Sequence, residues 1–272
     1  MKLIFVDIDG TLTEAGSNVP PQSALDAIKA TQAKGNKVFL CTGRNLAMLS
    51  PLLKYGFDGV VASGGGYVTI GDEVIYDHPM TKEQTELALD VLKRNGVFRT
   101  IEAKDATYGD ESLGDFLKGT SEGNSEIERW RKALSEDLGI MPMHEYDGRP
   151  IYKVVIMCQE ESQLTEARAL LEKDFNFAIQ DVAAHNCLNG DLVNRAFDKG
   201  KGIERVAEKL GVDMKDTYGF GDSMNDLEMI QTVGVSVTMA NGSDKLKAIS
   251  TYVADDVKND GLAKAFKHLG LI

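Results

Sequence analysis

Short, continuous apolar runs alternate with stretches of helical periodicity through the first part of the chain. Lys2–Asp7 (KLIFVD) and Lys37–Cys41 (KVFLC) have the unbroken character of parallel strands covered on both faces. Between them Pro20-Pro21-Gln22-Ser23 opens a helix in which Ala24, Leu25, Ile28 and Ala33 recur at helical spacing until Gly35 stops it. Asn45–Tyr55 predicts a second helix ended by Gly56, and Gly59–Ala62 a third strand. This alternation implies right-handed crossovers and an α/β fold with an open, doubly wound, Rossmann-like parallel sheet.

From Gly66 to Asp77 the pattern changes to two short alternating runs about Gly71-Asp72, the signature of a hairpin, and a new helix starts at Thr81. Helices over Thr81–Asn95, Ser125–Leu138 and Ser162–Lys173 then mix with strands over Val97–Glu102, Tyr152–Cys158 and Phe177–Ala183. After about residue 190 the first pattern resumes, with helices at Lys201–Leu210, Met224–Thr232, Ser243–Ile249 and Gly261–Leu269 and strands at Thr217–Phe220 and Val235–Met239. The expected architecture is a discontinuous core, residues 1–80 and 187–272, with an inserted α+β cap over residues 81–186.

Composition adds bounds rather than a function. A chain of 272 residues, 43% hydrophobic and 26% charged, has enough apolar material for one large domain or two modest ones. Cys41, Cys158 and Cys187 form no CxxC pair, which fits a reducing compartment. The opening apolar run is too short for a signal peptide and no later stretch reaches membrane-spanning length, so a cytoplasmic protein without a membrane partner is expected. A net charge of −12 disfavours nucleic acid and anionic membranes, and an anionic substrate would need cations gathered locally.

Candidate chemistry falls at the ends of the predicted strands, where open α/β sheets bind ligands. In Asp7-Ile8-Asp9-Gly10-Thr11 two carboxylates at i and i+2 leave a buried strand on the same side. Four fixed positions at roughly 5–7% usage each match by chance on the order of 0.003 times in a chain of this size. An Asx turn would account for the Asp and Gly, but not for like charges placed directly after LIFV, where desolvation is costly without a compensating cation. Gly219-Phe220-Gly221-Asp222-Ser223-Met224-Asn225-Asp226 repeats the arrangement, with Asp222 as a further oxygen ligand for a hard cation. If Asp7, Asp9, Asp222 and Asp226 converge against Lys199 alone, three negative charges remain and one Mg²⁺ reduces them to one. The four histidines, His78, His144, His185 and His268, show no zinc spacing, and Trp130 fits helix packing.

In order and position these residues resemble the four signature motifs of the haloacid dehalogenase superfamily, and the inserted segment and the tail around Asn259-Asp260-Gly261 resemble its Cof-like branch. The resemblance implies Asp7 as nucleophile, Asp9 as general acid/base and Lys199 as the third-motif lysine. It implies Thr42, Gly43, Arg44 and Asn225 on the phosphate, Asp7, Asp9 and Asp222 on Mg²⁺, and Asp226 behind them. The implied function is hydrolysis of a small phosphorylated metabolite, such as a sugar phosphate, through an aspartyl-phosphate. A phosphomutase and a non-enzymatic binding protein on the same fold are the alternatives. Ser63-Gly64-Gly65-Gly66 and Thr238-Met239-Ala240-Asn241 depart from the pattern of many relatives and flank the expected pocket.

Overall fold

The computed structural model describes residues 1–114, 140–179 and 188–272. The expected helix Ser125–Leu138, Trp130, His185 and Cys187 lie outside them. The chain forms two compact units: Met1–Arg44, Leu49–Asp77 and Phe197–Ile272 make one, Asn45–Met48 and His78–Ala196 the other.

The first unit contains strands β1 (Leu3–Val6), β2 (Lys37–Cys41), β3 (Gly59–Ala62), β4 (Tyr67–Ile70) and β5 (Glu73–Asp77), and later β12 (Thr217–Gly221), β13 (Val235–Met239) and β14 (Tyr252–Ala254). They form one sheet in the order β14-β13-β12-β1-β2-β3-β4-β5, parallel from β14 to β3, with the β4–β5 hairpin antiparallel at the edge. Its helices are α1 (Gln22–Ala33), most of α2 (Leu46–Leu53), α5 (Lys199–Leu210), α6 (Leu227–Thr232), α7 (Asp244–Lys247) and α8 (Gly261–His268). The apolar runs are unbroken because both faces are covered. On one face Leu3, Phe5, Phe39, Cys41 and Val61 pack with Ile203, Val206 and Ala207 of α5 and Met229 of α6. On the other, Phe220 of β12 lies against Phe266 of α8, ring centroids 5.1 Å apart. The chain runs outward from β1 in one direction through β2 and β3 and in the other through β12 to β14, so the switch in strand order falls between β1 and β12.

The second unit contains α3 (Lys82–Arg94), β6 (Phe98–Ala103), β7 (Thr107–Gly109), β8 (Ile140–Pro142), β9 (Ile151–Cys158), α4 (Thr165–Leu171), β10 (Phe175–Ile179) and β11 (Leu188–Asn194). Its sheet has the order β10-β11-β9-β6-β7-β8, and α3 and α4 cover one face around Ala88, Val91, Leu92, Ala167 and Leu171. Thr81 and Gln84 close the start of α3 with a reciprocal capping box. Asn45 groups with this unit because its amide Nδ2 donates to Ala103 O (2.9 Å) and Thr107 Oγ1 (3.0 Å).

Where the sequence pattern set the return crossing near residue 187, the units divide at Ala196/Phe197. The reason is β11, whose Asn and Gly carry little strand propensity but which is paired on both sides, by β10 and β9. Gly190 is needed there: a Cβ would lie 2.6 Å from Ala178 O of β10. Among the described residues no helix is long and apolar enough to cross a membrane.

Candidate active site

Asp7 is the first residue past β1, and its N–H extends the ladder by donating to Phe220 O of β12 (2.9 Å). The chain then folds back, Leu12 N–H donating to Asp7 O and Thr13 N–H to Ile8 O (2.9 Å). Gly10 is required twice over. Its φ of +83° suits glycine, and a Cβ would stand 2.3 Å from Asp222 Oδ2.

This turn sends the two motif carboxylates to different cations. Asp9 is held by Arg44 in a two-pronged pair, Nε to Oδ2 at 2.9 Å and Nη2 to Oδ1 at 2.7 Å, and also accepts the Gly16 N–H (2.8 Å). Arg44 Nη1 is anchored on Asn18 Oδ1 (2.7 Å). Asp7 instead accepts from Lys199 Nζ at 2.7 Å, and the same ammonium donates to Asp226 Oδ1 at 2.6 Å, with Asn225 Oδ1 at 3.4 Å. Lys199 opens α5, where Asp198 caps the helix by accepting the Lys201 N–H (2.7 Å). Asp226 uses its second oxygen to accept the N–H groups of Asp222 (2.9 Å) and Ser223 (3.2 Å), so it fixes the lysine and the turn after β12 together.

The second-motif segment is folded onto β3. Thr42 N–H donates to Val61 O (2.8 Å), Ser63 N–H to Arg44 O and Gly64 N–H to Thr42 O (both 2.9 Å). Thr42 Oγ1 accepts the Arg44 N–H (3.1 Å), and Gly43 between them is half-buried.

Asp7, Asp222 and Asp226 can each bring one carboxylate oxygen within 4.8 Å of the others. Burial, reinforced by the Asp226 charge, raises Asp7 to about 7 in spite of Lys199. Burial, then the charges of Asp7 and Asp226, raises Asp222 to about 8. For Lys199 burial works against the ammonium, but Asp226 and Asp7 outweigh it and hold the lysine charged. Asp222 Oδ1 is buried without a hydrogen-bond partner. An orphaned carboxylate oxygen beside Asp7, in an all-oxygen set, is what a hard divalent cation would satisfy, so these residues fit one. With Arg44 on Asp9, the four carboxylates face two cationic side chains and two negative charges remain, one fewer than the sequence alone suggested.

Three positions that sequence reasoning left without a role support this geometry. A Cβ on Gly65 would lie 2.2 Å from Asp198 O, so only glycine lets the residue before Lys199 sit against the β3 turn. Asn241 Nδ2 donates to Gly10 O (2.8 Å) while its Oδ1 accepts the Val257 N–H (3.3 Å), tying the first-motif turn to the far side of the sheet. Asn18 anchors Arg44, and no spacing rule would have found it.

Residues 4–266 match the family model described as haloacid dehalogenase-like hydrolase. The chain belongs to this family. It is 31% identical to the protein YkrA of Bacillus subtilis (strain 168), over 100% of this chain and 98% of that one. It is 26% identical to 5-amino-6-(5-phospho-D-ribitylamino)uracil phosphatase YwtE of the same organism, over 97% and 96%. Among solved structures it resembles the HAD subclass IIB sugar phosphatase BT4131, with a TM-score of 0.79, 25% identity and 100% of both chains covered. The α/β fold, the membership of a hydrolase family and the phosphoric monoester hydrolase class expected from the motifs are thereby supported.

Proposed function

We propose that the chain is a Mg²⁺-dependent phosphatase that hydrolyses a small phosphorylated metabolite, a sugar or polyol phosphate, through an aspartyl-phosphate on Asp7. The observation that carries this is the division of the two motif carboxylates, Asp7 on Lys199 beside the orphaned Asp222 oxygen and Asp9 apart on Arg44. In this reading Asp7 is the carboxylate that attacks, and Asp9 handles protons once it leaves Arg44.

In this reading Asp7 attacks phosphorus through one oxygen while the bond to the leaving oxygen breaks, and Asp9 gives that oxygen its proton. Asp9 then takes a proton from the water that attacks the phosphoaspartate, which restores Asp7 and releases inorganic phosphate. Lys199 holds Asp7 in place and offers charge to the transferring group, and Thr42 with nearby backbone N–H groups receives its oxygens. Asp7 and Asp222 would hold Mg²⁺, with Asp226 fixing the turn that carries Asp222; the Asp9 carboxylate, expected on the metal from the motif resemblance, is paired with Arg44 instead; the ion would lower the repulsion between carboxylate and phosphate. Arg44 restrains Asp9 and is released only when Asp9 turns to the substrate. The second unit serves as the cap that excludes water and sets specificity.

The test is release of inorganic phosphate from a panel of sugar, polyol and nucleotide monophosphates. Activity should vanish in EDTA and return with Mg²⁺, and full turnover in chelator would overturn the site as described.

A further inference from the structure

Arg44, Asn18 and Gly16, which hold Asp9, all lie within the first unit. Asp9 accepts from Arg44 through both oxygens and from the Gly16 N–H, so it must leave these donors to carry a proton elsewhere. Arg44 does not leave with it, because it is fixed at both ends by other groups. At the backbone its N–H donates to Thr42 Oγ1 (3.1 Å) and its O accepts the Ser63 N–H (2.9 Å). At the tip Nη1 donates to Asn18 Oδ1 (2.7 Å), and the whole residue is 9% exposed.

Asn18 belongs to a short loop, residues 13–19, that is tied to the first-motif turn. The buried Thr13 hydroxyl donates to Ser17 O (3.1 Å) and Ile8 O (3.3 Å), and the Ser17 N–H donates to Glu14 O (3.0 Å). Gly16, with φ of +74°, aims its N–H at Asp9 Oδ1 (2.8 Å). One loop therefore gives Asp9 a donor and gives Arg44 an acceptor. A contact made equally in both states of a switch shifts nothing by its own strength. The Asn18 bond acts through order instead. With it, the guanidinium is already in place when Asp9 docks. Without it, each docking must order a long side chain anew, which is worth roughly a two- to tenfold factor in the equilibrium.

We propose that Asn18 is a positioning residue that presets Arg44 as a receptor for Asp9, and so keeps the proton carrier docked away from the substrate between turnovers. The role of Asp9 in this proposal rests on the phosphatase reading. The loop sets the fraction of molecules in which Asp9 is free, and any step that needs Asp9 scales with that fraction. Removing Asn18 then raises a rate.

The test uses the full chain with Asn18→Leu, which keeps the side chain's size and loses the acceptor, and Asn18→Ala, which loses both. kcat/KM is measured for an alkyl phosphate of the panel above, whose leaving oxygen needs a proton, and for p-nitrophenyl phosphate, whose phenolate leaves without one. This constant ends at the first irreversible step, transfer to Asp7, so activation of water by Asp9 does not enter it. In both variants the alkyl value should rise roughly two- to tenfold and the aryl value stay the same. Val19→Ser, in the same loop but 71% exposed, should change neither. A structural role alone would lower both substrates together. That result, or an alkyl value that does not rise, overturns the proposal. If the wild type releases phosphate from no substrate, the phosphatase reading fails instead, and NMR reads Arg44 directly. The arginine Nε–H resonance missing from Arg44→Lys should exchange with water faster in Asn18→Leu than in the wild type, and equal exchange overturns the assignment of Asn18.

Discussion

Asp7 and Asp9 are the same residue type two positions apart, and on the proposed reading their different surroundings give them different work. Asp7 is buried, in contact with an ammonium and pushed upward to about 7, while Asp9 shares a guanidinium and a backbone N–H outside that cluster. Replacing each should therefore fail differently. Asp7→Asn should reduce phosphate release to background and give no phosphoryl adduct. Asp9→Asn should lose about 10²–10⁴ in turnover, the usual worth of a general acid/base, and still show phosphate on Asp7 with an activated ester. Mass spectrometry of peptides after incubation with acetyl phosphate reads both. An adduct on Asp9, or one persisting in Asp7→Asn, would reverse the roles. The spacing of the two acids was legible in the sequence. Arg44 as the partner of Asp9 was not, because the sequence showed a cation beside Thr42 without showing which anion it meets.

The elements that deliver these side chains were legible to different degrees. β1, β2, β3 and β13 stood out because strands buried on both faces are apolar without interruption. β11 did not, since Leu-Asn-Gly-Asp-Leu-Val-Asn becomes a strand only through the neighbours that pair with it. The start of α5 was expected at Lys201 and lies at Lys199, because capping by Asp198 is a contact rather than a periodicity. The turn after β3 is the clearest such case. Gly64 and Gly65 both have positive φ, +66° and +99°, but only Gly65 faces the backbone of Asp198. Gly64→Ala should cost only the backbone penalty, about 1–2 kcal/mol. Gly65→Ala adds a clash with a carbonyl that cannot yield without moving Lys199, so on the order of 2–4 kcal/mol is expected, with a fall in kcat of about tenfold or more. Denaturation midpoints and phosphate release for the pair check this. Equal losses from both substitutions would mean that Gly65 does not seat the lysine.

At the scale of the whole molecule the site carboxylates couple folding to protons and, on the proposed reading, to metal. Asp7 at about 7 and Asp222 at about 8 bind protons more tightly in the folded chain than in an unfolded one, where each returns to the reference value of 3.8. Between those limits the folded state holds more protons, so stability without metal must fall as pH rises from about 4 toward 8. The net charge of −12 works in the same direction through self-repulsion, and cannot by itself be told apart from the site. Mg²⁺ separates the two. It needs the ionised carboxylates, so its binding should release protons near pH 7, tighten as pH rises through that range, and stabilise the fold most where the unoccupied site is least comfortable. In EDTA the melting temperature should be higher at pH 6 than at pH 8. Added Mg²⁺ should raise it little at pH 6 and by several degrees at pH 8. Asp222→Asn removes one of the two raised carboxylates and its negative charge, so it should flatten the profile in EDTA and abolish most of the Mg²⁺ effect, leaving only the part owed to overall charge. Differential scanning fluorimetry across that pH range measures all of this. A metal-free melting temperature that climbs from pH 6 to pH 8, or a Mg²⁺ shift that survives intact in Asp222→Asn, would place the ion elsewhere than between Asp7 and Asp222.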